Sequence, residues 1–197
     1  TPYSSVDLLA GWNQANTSSA TYPLAATYTK SGAVAAASTT QSNMTGVNAA
    51  TNQFTHSNTS ASLTTGSAPY LSYTVSTSEG TKFVRFVLGG LNIAGTTKLQ
   101  LRSSVDAFAN PLGEFTSGSG SNKGLSSVDL SSLPSQPTGD IEFRIYAYNG
   151  NGDVITLGDG NAYAATDNTN PSLSAAYNVM VYGAARVIPT LGSLSNV

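Results

Sequence analysis

The sequence predicts an all-β chain, an antiparallel two-sheet β-sandwich of jelly-roll type with extended N- and C-terminal segments. Three observations predict it. Apolar and polar residues alternate with a period of two in several short runs, the clearest being Ile141 to Tyr148. Gly, Pro and Asn punctuate those runs at short intervals, as hairpin connections require. No stretch repeats its apolar residues at the helical period, so there is no crossover helix to support a parallel sheet.

The elements follow in order. The first third, to about Ala68, is rich in Ala, Ser, Thr and Asn and has little sustained periodicity; within it Gly32 to Ala37 fits either a short buried strand or a poor helix. Leu71, Tyr73 and Val75 then alternate with Ser72, Thr74 and Ser76, and Val84, Phe86 and Leu88 with Phe83, Arg85 and Val87. Past Gly89-Gly90, Leu99 and Leu101 alternate with Lys98, Gln100 and Arg102, giving a half-buried strand. Gly113 to Gly124 reads as a Gly/Ser-rich loop, followed by the short segment Val128-Asp129-Leu130 and a break at Pro134 and Pro137. In the strongest strand Ile141, Phe143, Ile145 and Ala147 share one face, and Glu142, Arg144, Tyr146 and Tyr148 the other. Asn149-Gly150-Asn151-Gly152 predicts a tight turn into Val154-Ile155-Thr156, because Asn-Gly supplies the positive φ values of hairpin turns. Tyr177 to Tyr182 closes the series with Val179 and Val181 on one side.

At 197 residues one sandwich domain over 1–197 is expected, with enough chain for a sizeable core. Its two ends stand apart. Val6, Leu8 and Leu9 mark residues 1–10 as an extended segment, and Ile188, Leu191, Leu194 and Val197 recur every three residues through 186–197. Each end either docks on its own domain or is donated to the sheet edge of a neighbouring copy by strand addition.

Composition narrows the function classes. The chain carries 8 Lys and Arg against 10 Asp and Glu, a net charge of -2, and Ser31 to Ser78 contains none of the four. In their place stand 28 Ser and 24 Thr, so the surface presents hydroxyls, amides and methyls. No basic field exists for nucleic acid or acidic lipid, and no apolar run is long enough to span a membrane as a helix. The absence of cysteine removes disulfides, thiolate nucleophiles and thiol metal sites. The start at Thr1, without Met or an apolar leader, fits the mature form of an exported protein. Three sequons, at Asn16, Asn43 and Asn58, permit glycosylation in a eukaryotic secretory route.

Leu99 to Phe108 carries the order strand, Ser, x, Asp, x, Phe. It resembles an element of secreted bacterial jelly-roll modules, in which Gly stands where this chain has Ala107. Val128-Asp129-Leu130-Ser131, Ile141 to Tyr146 and Val181-Tyr182-Gly183 resemble the later landmarks of the same modules, and Gly11-Trp12-Asn13 the only early one. The resemblance implies a sandwich fold, an extracellular or cell-surface location and kinship in architecture with carbohydrate-binding domains; a function carried by fold alone is associational.

Chemistry has few places to reside. His56 is the only histidine, and no Gly-x-Ser-x-Gly elbow accompanies it; Gly118-Ser119-Gly120 lies in the predicted loop, so His56 is expected to be an ordinary polar loop residue. A single histidine without cysteine also makes a zinc site improbable. Glu142 is the best-placed acid for glycoside hydrolysis, with Glu114, Asp106 or Asp129 as partners, but an ion pair with Arg144 two residues along the same face is the plainer account. Asn149, Asn151 and Asp153 imitate the start of an EF-hand loop, which then fails at Val154 and Gly160; Asp153, Asp159 and Asp167 could still assemble a looser calcium cage. Arg144, Tyr146 and Tyr148 form a possible sugar platform, with Trp12 and Tyr182 as further aromatics.

Scarce charge, no catalytic constellation and apolar-marked tails together point to a non-enzymatic, secreted structural subunit. It would contact copies of itself in an extracellular filament or surface layer and need no cofactor beyond a possible calcium ion. The alternative is a non-catalytic carbohydrate-binding module whose partner is a polysaccharide.

Overall fold

The computed structural model describes residues 2–13, 22–48, 52–118, 124–158 and 177–188. They form strands β1 (Asp7–Trp12), β2 (Leu24–Ala25), β3 (Tyr28–Thr29), β4 (Val34–Ser42), β5 (Thr45–Asn48), β6 (Gln53–Thr55), β7 (Tyr70–Thr77), β8 (Thr81–Gly89), β9 (Asn92–Ala94), β10 (Lys98–Ser103), β11 (Gly113–Phe115), β12 (Leu125–Asp129), β13 (Gly139–Tyr148), β14 (Val154–Thr156) and β15 (Val179–Ala185), with one 3-10 turn at Ser104–Asp106. Every pairing is antiparallel. A five-stranded sheet runs β12-β8-β15-β1-β3 and a six-stranded sheet β11-β10-β13-β7-β4-β2; these two are packed as a β-sandwich. A small third sheet, β5-β6-β14-β9, which the periodicity does not predict, is added beside them.

The alternation in β13 selects the core face. Ile141, Phe143, Ile145 and Ala147 are buried, and the same holds for Leu71, Tyr73 and Val75 of β7 and Leu99 and Leu101 of β10. Edge-to-face ring contacts interlock the two sheets: Tyr73 of β7 and Phe143 of β13 each meet Phe86 of β8, at 5.6 and 5.5 Å between centroids. Trp12 of β1 meets Tyr73 at 5.2 Å. Buried aromatic pairs of this geometry add about 0.5–1.5 kcal/mol each beyond their area burial.

The β2–β3 connection closes one side of the sandwich. Ala26 N–H donates to Ala37 O, whereas Thr27 N–H donates to Gly11 O, so between β2 and β3 the chain leaves the larger sheet and joins the smaller. This corner covers edges that would otherwise be open to pairing.

Of the alternatives open for the N-terminal segment, the structure shows docking on its own domain. Residues 7–10 belong to β1, which lies inside its own sheet between β15 and β3, with Leu9 and Ala10 buried and Leu8 at 8% exposure. A strand hydrogen-bonded on both edges and holding core side chains is an integral part of the domain, not a free tail. Residues 2–5 run on alongside the last strand: Ser4 N–H donates to Ala185 O, and Val187 N–H to Pro2 O. Val6 and Ile188 stay exposed, while Leu191, Leu194 and Val197 lie outside the described residues. Of Gly32 to Ala37, the first two residues complete a turn and Val34 to Ala37 open β4, a strand. The predicted loop from Gly113 to Gly124 opens instead with strand β11, because Glu114 pairs with Gln100.

The sandwich therefore has two distinct poles. At one, both ends of the described chain meet the β7–β8 turn, where Arg186 N–H donates to Gly80 O. At the other, the small sheet and the segment from His56 to Ser60 cover the β13–β14 turn, close to where β7 begins at Tyr70. No helix among the described residues is long and apolar enough to cross a membrane.

Candidate functional site

Two places on the molecule gather the residues singled out from the sequence. The first is the outer face of the six-stranded sheet. Arg144 of β13 lies between Arg102 of β10 and Ser72 of β7 in register. Its Nε donates to Glu142 Oε2 at 2.7 Å, its Nη2 reaches Oε1 at 3.4 Å, and its Nη1 donates to Tyr146 Oη at 3.2 Å. Ser72 Oγ donates to Glu142 Oε2 at 2.6 Å. The guanidinium carbon stands 4.2 Å from the Tyr70 ring centroid and 3.9 Å from that of Phe108. The ion pair with Glu142 is thus present, and it is elaborated into a stacked, hydrogen-bonded cluster.

The turn after β10 supplies the upper ring. Phe108 N–H donates to Ser103 O at 2.9 Å, and Arg102 Nη1 donates to the carbonyls of Phe108 and Ala109 at 2.9 and 2.7 Å. Ala107 and Phe108 both take left-handed conformations, with φ of 54° and 62°. The first of these is the position where the resembled modules carry Gly, the residue that tolerates positive φ at no steric cost. Asp106 accepts from Ala109 N–H and from the backbone and side-chain amides of Asn110. Its carboxylate therefore shapes the turn.

This turn revises the sugar platform. Tyr146 is fully buried, its ring covered by Tyr70 at 5.3 Å and Phe108 at 6.4 Å. Tyr148 is also buried and donates its hydroxyl to Glu114; burial first, and that carboxylate second, push its pKa up to about 12. Neither tyrosine offers a ring to a ligand, and the partly exposed groups of the face include Tyr70, Phe108 and Arg144. Trp12 and Tyr182 are buried as well, at 1% exposure each.

The second place lies at the pole remote from the chain ends. A cleft of about 460 Å³ is lined by Asn43, Met44, Thr45, His56, Ser57, Asn58, Ser67 and Pro69, with no formally charged side chain among them. His56 lies in the loop after β6. It is buried, its Nδ1 accepts from Asn58 N–H at 3.1 Å, and its Nε2 lies 2.8 Å from Thr97 Oγ1. The ring is therefore neutral with its proton on Nε2, donated to Thr97. Desolvation holds its pKa below the ordinary value, against a smaller opposing pull from Asp153.

Thr97 passes the chain of hydrogen bonds to Asp153, whose Oδ2 accepts Thr97 Oγ1–H at 2.8 Å, Thr97 N–H at 2.9 Å and Thr96 N–H at 3.0 Å. The hydrogen bonds from Thr97 keep the Asp153 carboxyl below the usual carboxylate range. That oxygen is committed to binding two turns together. Of the calcium candidates, Asp159 and Asp167 lie outside the described residues, and the described residues hold no group of three or more acidic or histidine ligands. His56 and Asp153 are thus joined through Thr97 into a clamp between the two turns. Periodicity does not reveal Tyr70, Phe108 or Thr97 as members of these clusters; only the Ser-x-Asp-x-Phe spacing hinted at Phe108.

Comparison with models of protein families, with curated proteins and with solved structures returns no match.

Proposed function

We propose that the chain is a secreted, non-enzymatic structural subunit that assembles with copies of itself outside the cell, as a filament or surface layer. One observation supports this reading above others. Along β4 and β7, Ser38, Thr40, Ser42, Thr74 and Ser76 lie half-buried opposite the core face, and no charged residue occurs on either strand. The nearest charges stand on the neighbouring β13, where Glu142 and Arg144 neutralise one another and Asp140, opposite Ser76, is exposed. A soluble monomer ordinarily spreads charge across such a face. Short hydroxyl side chains lose little rotamer entropy on contact and present no like-charge repulsion to an identical surface. With residues 7–10 built into the domain and Val187 N–H bonded to Pro2 O, strand addition to a neighbour would fall to the end of the 186–197 segment, which lies outside the described residues.

Electron microscopy and light scattering of the purified chain at neutral pH test the reading. Regular filaments or sheets are expected for the wild type, and their loss in Ser38→Asp/Thr40→Asp, which places like charges on the face. A monomeric wild type at all accessible concentrations would overturn it.

A second reading, non-catalytic carbohydrate binding, draws on the cleft, whose uncharged hydroxyl and amide lining beside Met44 and Pro69 suits a neutral polyhydroxyl ligand. Specific retention of a glycan on an array, lost when Ser57 and Ser67 are replaced by bulkier residues, would favour it.

A further inference from the structure

The β13–β14 turn holds two Asn-Gly pairs in succession, Asn149-Gly150 and Asn151-Gly152. Asn-Gly is chemically labile. The glycine amide nitrogen, once deprotonated, attacks the asparagine Cγ; a C–N bond forms, ammonia leaves, and water opens the resulting succinimide to aspartate or isoaspartate. Lability of this kind shortens the life of an exposed protein.

The fold requires both glycines. A Cβ on Gly150 would collide with Thr97 Oγ1 and Asp153 Oδ2, the pair at the centre of the clamp. Gly152 has φ of 70°, the left-handed region that a side chain strains. Asn149 itself stands at φ 65°, which asparagine tolerates better than most residues. The turn geometry thus creates the liability and forbids its simplest remedy.

Both attacking nitrogens are nevertheless engaged. Gly150 N–H donates to Asn58 O at 3.0 Å and Gly152 N–H to His56 O at 2.8 Å, with Asn149 N–H donating to Ser60 O at 2.8 Å alongside. The Asn149 side chain is held away from its neighbour by donating Nδ2–H to Thr96 O at 3.1 Å. The covering segment is in turn tied down by His56 to Thr97, by Asn58 N–H to His56 Nδ1, and by Asn58 Nδ2–H to Ala147 O at 3.0 Å. We infer that this turn is a latent deamidation site, and that the segment from His56 to Ser60 suppresses the reaction by holding the Gly150 and Gly152 amides in hydrogen bonds. Deprotonation and attack then require local opening of that segment, and the rate follows the small open population.

Peptide mapping by mass spectrometry, after incubation at mildly alkaline pH, reads the conversion of Asn149 and Asn151. In the folded wild type both should persist, whereas in denaturant both should convert rapidly. His56→Ala and, separately, Asn58→Ala should raise the rate at least about ten-fold while circular dichroism still reports the native sheet, since each removes a tie on the segment. Hydrogen exchange of the Gly150 and Gly152 amides in the wild type should be slow and should accelerate in parallel with deamidation. Folded wild type converting as fast as the denatured chain, or fast exchange of both amides, would overturn the inference. So would an unchanged rate in both variants with their fold intact.

Discussion

The guanidinium of Arg144 is stacked 3.9 Å from the ring centroid of Phe108, a residue from a turn whose backbone is held by a second arginine, Arg102. This contact closes the outer face of β13 over Tyr146. The face therefore contributes stability where an exposed aromatic platform was expected. Cation–π pairs of partly desolvated groups contribute about 0.5–2 kcal/mol, and truncating Arg144 also removes the guanidinium's hydrogen bonds to Glu142, which keeps the one from Ser72, and to the Tyr146 hydroxyl.

Arg144→Ala should lower unfolding stability by about 1–3 kcal/mol in urea titrations, and Arg144→Lys should recover only part of that loss, because an ammonium cannot stack between two rings and fork to Glu142. A double-mutant cycle with Phe108→Ala should return a coupling of about 0.5–1 kcal/mol. Additive losses would show that the stacking carries no energy.

Ala107→Gly should stabilise the domain by about 0.5–1 kcal/mol, since relief of a left-handed alanine outweighs the extra freedom that glycine gives the unfolded chain. Thermal and urea unfolding would measure it; a destabilised variant would place the strain elsewhere.

Stability should fall as pH drops through the ordinary histidine range. The folded state holds His56 neutral with its pKa lowered, so below about pH 6.5 the unfolded chain binds a proton that the folded chain refuses. The stabilisation is complete above that pH and declines, by at most about 1.4 kcal/mol per pH unit, until the folded-state pKa is reached. The lowered carboxyl of Asp153 adds a loss of the same sign at more acidic pH. Chemical denaturation from neutral to mildly acidic pH should show this slope in the wild type and a flatter profile in His56→Gln.

Gly183→Ala should destabilise by about 2–4 kcal/mol, because a Cβ would stand 2.6 Å from Lys82 O and 2.8 Å from Leu9 Cδ1, and the backbone of the central strand cannot yield. Equilibrium unfolding monitored by Trp12 fluorescence would detect it.

Removal of residues 1–10 should abolish folding rather than release an assembly-deficient monomer, since Leu9 alone is worth about 2–5 kcal/mol as a core side chain and β1 bonds strands on both edges. A truncated chain that retained the native circular dichroism would contradict the placement of β1.

The strand character of residues 70–77, 81–89, 98–103 and 139–148 was legible because alternation is a local property: a period of two assigns neighbours to opposite faces whatever the sheet order. The tight turn at Asn149-Gly150-Asn151-Gly152 was legible because positive φ selects its residues locally. β1 and β4 were harder, since small residues and threonines blur the contrast between faces.

Sequence by itself determined the sandwich class, the sharing of one face by Glu142, Arg144, Tyr146 and Tyr148, and the poverty of charge. Tertiary structure alone decided that this face is covered, that Leu9 lies in a strand paired on both edges, and that His56 is buried against the β13–β14 turn. The physical reason is that alternation fixes which side chains share a face, whereas burial depends on what distant segments lay over it. Phe108 over Arg144, and Asn58 and His56 over Gly150 and Gly152, are contacts between residues far apart in the chain. Loop closure and packing choose such contacts, and no local pattern encodes them.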